Sequence, residues 1–207
     1  MALDYEKQFY SKDITFVVGC DEAGRGCLLG DVFAGAVILP QDFSSDLIND
    51  SKQLTEKQRE EAFNIIKEKA VAWGVGRCTP EEIDKYNILN ASRIAMERAI
   101  VDMNHSFDLI ITDAVKMKRE DVPVIPLIHG DALALCVAAA SIVAKVSRDH
   151  YCLELDKKYP EYQIAKHKGY GTKVHLETLE KYGPKKGLHR FTYAPVKKFL
   201  IEKVSLF

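Results

Sequence analysis

Short apolar runs alternate along the chain with stretches whose apolar positions recur every three or four residues. That pattern predicts strands interleaved with helices, an α/β class. Phe16-Val17-Val18-Gly19-Cys20 reads as a buried strand, ending in the adjacent carboxylates Asp21 and Glu22 and the turn Gly24-Arg25-Gly26. Residues 32–39 read as a second strand, and the glycine-bearing link between the two predicts an antiparallel pair. Asp50-Ser51-Lys52 is a polar turn, after which Thr55 and Gln58 form a capping box for a helix to about Ala70. Residues 71–78 read as a third strand. Thr79 as cap with Pro80 at the first position opens another helix, and helical patterning resumes over 88–103.

Residues 108–112 form a predicted strand that delivers Asp113, and 124–128 another, followed by His129-Gly130-Asp131. From Ala132 to Lys145 the chain is apolar almost all round, which predicts a buried helix that continues toward Lys158 and ends at Pro160. Residues 172–182 are helical in pattern, Gly183-Pro184 breaks them, and a short helix near 195–203 closes the chain.

Composition changes this picture little. At 207 residues, 47% hydrophobic and 29% charged, the chain is that of a globular protein with a sizeable core. No apolar run is long enough to span a membrane, and the first residues lack a signal-peptide pattern. Cys20, Cys27, Cys78, Cys136 and Cys152 show no C-x-x-C spacing, so buried thiols in a reducing cytoplasm are expected rather than zinc or disulfides. Charge is more informative. Residues 157–198 hold 11 Lys/Arg against 3 Asp/Glu, leaving 18 against 27 in the rest. An acidic body with a basic C-terminal quarter can hold cations in one part and a polyanion in the other; a solvated lysine-rich surface gives the same count.

Asp21, Glu22, Asp113 and Asp131 stand where predicted strands end or a helix begins, and their oxygens suit hard cations such as Mg²⁺ or Mn²⁺. Neighbouring strand residues point to opposite faces, so Asp21 and Glu22 share one site only if the strand ends or bulges there. Asp131 could equally cap the following helix, and Asp113 could be a turn residue. The glycine turn offers close backbone approach and N–H groups for phosphate, and Arg25 a planar fork.

Seven stretches, in order along nearly the whole chain, carry a resemblance to a known family: DEAGRG (21–26), DSKQLTEKQRE (50–60), EEIDKYNILNAS (81–92), ITDAV (111–115), GDALALCVAAASIVAKVSRD (130–149), YPEYQIAKHKGYGTKVH (159–175) and HRFTYAPVK (189–197). The chain resembles ribonuclease HII, the type 2 ribonuclease H. The resemblance implies a ribonuclease-H-like mixed β-sheet flanked by helices, with a helical C-terminal extension. It implies a single catalytic domain over 1–207, with a core to about 158 and a basic substrate-binding extension over 159–207. The implied activity is endonucleolytic cleavage of RNA in RNA–DNA hybrids and cleavage 5′ of single ribonucleotides in duplex DNA. The mechanism would use two metal ions, Mg²⁺ or Mn²⁺, and leave 5′-phosphate and 3′-hydroxyl ends. The implied roles lie in ribonucleotide excision repair and DNA replication, for a cytoplasmic monomer with no membrane partner and no extra N-terminal substrate-binding domain.

Carried over position by position, Asp21, Glu22, Asp113 and Asp131 are the implied metal ligands and catalytic acids. Gly24, Arg25 and Gly26 would read the 2′-hydroxyl and hold flanking phosphates. Tyr170 would stack on the sugar at the RNA–DNA junction. Lys52 and Arg190 would hold backbone phosphates. Four positions depart from the family pattern: Ala114 where glycine is common, His129 where lysine is common, Leu133-Ala134-Leu135 in place of a more polar stretch, and Asp31 in place of proline. None removes an acid. A silent nucleic-acid-binding module and a resolvase-like nuclease of the same fold are the competing readings.

Overall fold

The computed structural model describes residues 3–48 and 54–202. Five strands form one mixed sheet in the order β3-β2-β1-β4-β5. They are β1 (Val17–Ala23), β2 (Val32–Ile38), β3 (Ala72–Cys78), β4 (Leu109–Asp113) and β5 (Val124–Leu127). The first three pair antiparallel as a meander, and β4 and β5 join parallel to β1. All five predicted strands are present. Polar Lys52 and its neighbours Asp50 and Ser51 lie outside the described residues.

Helices cover both faces. The helix α1 (Glu56–Lys69) opens on the capping box expected from Thr55 and Gln58, α2 (Pro80–Tyr86) opens on the expected Thr79 cap, which Glu82 completes as a second box, and α3 (Ile88–Met103) packs across β3 and β2. On the face opposite α3, α4 (Leu135–Lys158) crosses β1 and β2, with α1 packed against it. It lies very close to the sheet. A Cβ at Gly19 would meet the Cys136 carbonyl carbon at 2.1 Å, and one at Gly35 the Ala140 carbonyl oxygen at 2.4 Å. Glycine at both positions therefore sets how near α4 comes to the acid-bearing end of β1.

The start of α4 differs from the expectation. Asp131 does not cap it. Gly130–Ala132 form a short 3₁₀ turn, Ala134 is extended at φ −119°, and the helix begins at Leu135 with no side-chain cap of its own. The cap comes from far away. Glu6, in a 3₁₀ turn over Tyr5–Phe9, is 4% exposed and accepts from the Leu135 and Cys136 N–H groups, both at 3.0 Å. The Tyr5 N–H also donates to the Leu133 carbonyl. A carboxylate is well placed here, since the helix N-terminus carries orphan donors and partial positive charge. Glu6→Ala is expected to cost about 2–3 kcal/mol, because it strands two buried N–H groups, whereas Glu6→Gln keeps one acceptor and costs less. Urea unfolding midpoints of the two variants test this; equal, negligible losses would remove Glu6 as the cap.

After α4 the chain adds no strand. The short helices α5 (Ile164–His167), α6 (Lys173–Tyr182) and α7 (Ala194–Glu202) pack around Leu28 and Leu29, and Leu29 bridges to His189. This segment thereby sits beside the glycine turn that follows β1.

Candidate active site

The pairing of β1 with β4 ends at Cys20 and Thr112, while β1 continues along β2 to Ala23. Asp21 and Glu22 are thus still in the strand, with a neighbour on one side only. Strand alternation then separates them, as sequence reasoning allowed. Asp21, Asp113 and Asp131 each bring an oxygen into a cluster whose members all lie within 4.8 Å of one another. Glu22 is not one of the three. It lines the same pocket, a concavity of about 410 Å³ shared with Asp21, Gly24, Asp113 and Tyr170. Asp113 is the last residue of β4 and accepts from the Gly130 N–H at 2.9 Å, which ties the Asp131 turn to the end of that strand.

The acids strain against one another. Burial and the charges of Glu22 and Asp113 push the Asp21 carboxyl well above its usual range, and a hydrogen bond with Ser141 offsets part of this. Glu22 is likewise raised by burial, with Arg25 opposing at 3.0 Å. Its Oε2 is buried without a hydrogen-bond partner. Bunched carboxylates that resist ionisation, beside an orphaned carboxylate oxygen, are the donor set that a hard divalent cation satisfies. The residues fit the expected metal.

The turn after β1 is braced from beneath. Gly24 has φ +94°, and a Cβ there would meet the Arg148 Nε at 2.1 Å, so only glycine fits. Arg148 is fully buried and donates to the carbonyls of Asp31 and Lys168. Arg190 corrects an expectation. It is 0% exposed, and its guanidinium is spent on the carbonyls of Gly30 and Arg25 and on the Tyr193 hydroxyl. A side chain so placed braces the Gly24-Arg25-Gly26 turn and does not face a phosphate. Arg25 itself is half-exposed and reaches back to Glu22. Tyr170 is 43% exposed on the pocket rim, with the Lys145 ammonium 6.0 Å from its ring centroid. His129 is exposed at φ +59° and stands outside the cluster. All five cysteines are buried and unpaired, as expected.

Three pocket residues escaped the sequence reading: Ser141, Lys145 and Arg59. A signal for two of them existed. Ser141, Lys145 and Asp149 recur every four residues, a polar row on one side of α4 that starts within its apolar first half. Lys145 pairs with Asp149 at 3.1 Å.

One departure from the family pattern has a local cost. Ala114, directly after Asp113, sits at φ +57°, a conformation that suits glycine. Ala114→Gly is expected to raise stability by about 1 kcal/mol, the strain relieved less the entropy glycine adds to the unfolded chain. A lower melting temperature would contradict it.

A mixed sheet that gathers acids at the ends of β1 and β4 beside a glycine turn has the form of a ribonuclease-H-like nuclease. The comparisons with known proteins specify the class further. The family model for ribonuclease HII matches residues 18–196. A ribonuclease HII of Caldanaerobacter subterraneus subsp. tengcongensis is 45% identical over 91% of this chain and 78% of its own. That of Acholeplasma laidlawii is 47% identical over 96% of both chains. The crystal structure of ribonuclease H2 from Pyrococcus horikoshii superposes with a TM-score of 0.74 at 27% identity, covering 90% of this chain and 98% of that one. The chain belongs to the ribonuclease HII family, metal-dependent endoribonucleases of RNA–DNA hybrids.

Proposed function

We propose that this enzyme hydrolyses RNA within RNA–DNA hybrids and also cuts 5′ of a single ribonucleotide in duplex DNA. The observation that carries the reading is the trio of Asp21, Asp113 and Asp131, with carboxylate oxygens within 4.8 Å of one another, of which Asp21 and Asp113 line one pocket with Glu22, Gly24 and Tyr170. Asp21, Asp113 and Asp131, with Glu22 beside them, would hold Mg²⁺ or Mn²⁺. Divalent ions bound there would activate an attacking water and stabilise the leaving 3′-oxygen.

The protein's own groups supply the rest. Gly24 to Gly26 offer main-chain N–H groups to a phosphate and approach the sugar closely enough to read its 2′-hydroxyl. Arg25, half-exposed beside Glu22, would offer a fork for a non-bridging phosphate oxygen. Lys145, at the pocket wall, adds positive charge beside the phosphate. Tyr170 presents a flat ring to the neighbouring sugar. The segment 159–207, with exposed Lys166, Lys173 and Lys181 among its described residues, lies along the duplex, and Lys52 contributes a further phosphate contact. The enzyme acts as a cytoplasmic monomer in ribonucleotide removal and replication.

The test is to offer an RNA–DNA hybrid, an RNA duplex and a DNA duplex of one sequence, and to map the ends produced. Cleavage confined to the RNA strand of the hybrid, with 5′-phosphate and 3′-hydroxyl ends, is the expected result. Cleavage of the DNA duplex would favour the resolvase-like alternative, and binding without cleavage the silent module.

A further inference from the structure

Three histidines that the proposed chemistry does not use lie buried together in the C-terminal segment: His167 at 4% exposure, His175 at 0% and His189 at 1%. His167 and His175 stack with centroids 4.2 Å apart and planes 10° from parallel. All six ring nitrogens are engaged, and their partners fix every tautomer. His167 Nδ1 accepts from the Gly169 N–H at 3.0 Å, so its proton is on Nε2, which donates to the Tyr162 carbonyl. His175 Nδ1 faces the Tyr170 carbonyl at 2.9 Å and must carry a proton there. Its bare Nε2 then accepts from His189 Nε2 at 3.4 Å, and His189 Nδ1 accepts from the Lys185 N–H at 3.0 Å. The set closes only if all three rings are neutral.

The surroundings keep them so. Burial, then the neighbouring imidazole, pushes His175 down to about 4 and His189 to about 3. His167 is lowered by burial too, against the opposing pull of its bond to the Tyr162 carbonyl and of Asp156. The ring of Tyr162 tilts onto His189 at 4.9 Å.

Two of these bonds end on the loop that carries Tyr170: Gly169 is held through its N–H and Tyr170 through its carbonyl. We propose that His167, His175 and His189 form a neutral imidazole chain that positions the main chain of Tyr170. The hydrogen bonds run from the Lys185 loop through His189 and His175 to the Tyr170 carbonyl, while His167, stacked on His175, ties Tyr162 to Gly169, so together they fix where the tyrosine ring stands relative to the aspartates. The catalytic consequence rests on the reading of Tyr170 given above. The three histidines are positioning residues and touch no substrate.

Isosteric replacements separate the two ends of His175. His175→Asn places an amide N–H where Nδ1 stood and retains the bond to Tyr170. His175→Gln places its amide at the Nε2 end, retaining the contact with His189 and losing the one with Tyr170. Two readouts apply: the aromatic NMR signals of Tyr170 in the uncomplexed protein, and kcat/KM on a duplex with one ribonucleotide. The Gln variant should shift the Tyr170 signals and lose about tenfold or more in cleavage, as a displaced contact group does, while the Asn variant stays within about threefold. Unchanged Tyr170 signals in the Gln variant would overturn the proposal, as would equal losses in both variants that follow their melting temperatures. If Tyr170→Ala itself cleaves normally, the junction reading fails on its own. The hold on the loop is then judged by the NMR signals, where a shift in Gln but not Asn supports it and no shift overturns it.

Discussion

Asp21→Asn is expected to cut the cleavage rate by at least about 100-fold, roughly 2.7 kcal/mol or more of barrier, while its metal-free form melts above the wild type. Both effects come from the same crowding. Asp21 is buried, and its oxygen lies within 4.8 Å of those of Asp113 and Asp131. Its carboxyl is raised above the ordinary 3.8, first by burial and then by the charges of Glu22 and Asp113. A folded-state value above the unfolded one means that the native protein binds the proton more tightly. Stability therefore falls as pH rises from about 3.8 through the raised value, and at neutral pH the ionised group is a net cost to the fold. The amide removes that cost and keeps much of the side chain's size. It also removes one negative ligand from a hard cation, which weakens binding and misplaces the reacting water. Asp113→Asn should lose a comparable amount of activity. The measurements are single-turnover rates in Mg²⁺ or Mn²⁺ and calorimetric melting in EDTA. Near-wild-type cleavage, or a lower melting temperature in EDTA, would contradict the assignment.

Tyr170→Ala carries the second large effect. The ring is half-exposed at the pocket rim. Gly169 and Gly171 let the loop lie close on Leu29 and Leu28, where a Cβ would come within 2.9 Å and 3.1 Å, so the loop is held by its backbone and the ring is presented outward. Stacking of an aromatic ring on a nucleic acid is worth about 1–3 kcal/mol, so removing the ring should cost about fivefold to 150-fold on a duplex with one ribonucleotide. There the junction is the only feature to recognise. A long hybrid, with contacts along its length, should lose less. Tyr170→Phe keeps the ring and loses the hydroxyl, on the order of 1 kcal/mol. Rates on both substrates, with unfolding midpoints alongside, decide it. Equal, small losses on both would remove the junction role.

How much of this was legible depends on how local the cause is. The capping box at Thr55 and the cap at Thr79 are written within four residues and appear as predicted. The strands follow from runs of buried apolar residues and do the same. The start of α4 was not legible, because its cap is Glu6, 129 residues away in sequence. Ala134 offers no acceptor, so the helix waits until Leu135, and Asp131 turns to the other acids instead of capping. Arginine ordinarily reads as a surface cation, yet Arg148 and Arg190 are buried because main-chain carbonyls of the turns around β1 and β2 receive them. Sequence could place four acids at element ends. It could not say that alternation would leave Glu22 beside, rather than within, the tight group of three.

The central claim is that the aspartate cluster hydrolyses the phosphodiester beside a ribonucleotide with the help of divalent cations. Its most direct test is a DNA duplex carrying one ribonucleotide, set against the same duplex without it, in Mg²⁺, Mn²⁺ or EDTA. The account predicts one cut, on the 5′ side of the ribonucleotide, in either metal, with none in EDTA and none on the all-DNA duplex. Cleavage in EDTA, cleavage of the all-DNA duplex, or an intact ribonucleotide-bearing strand in both metals would contradict it.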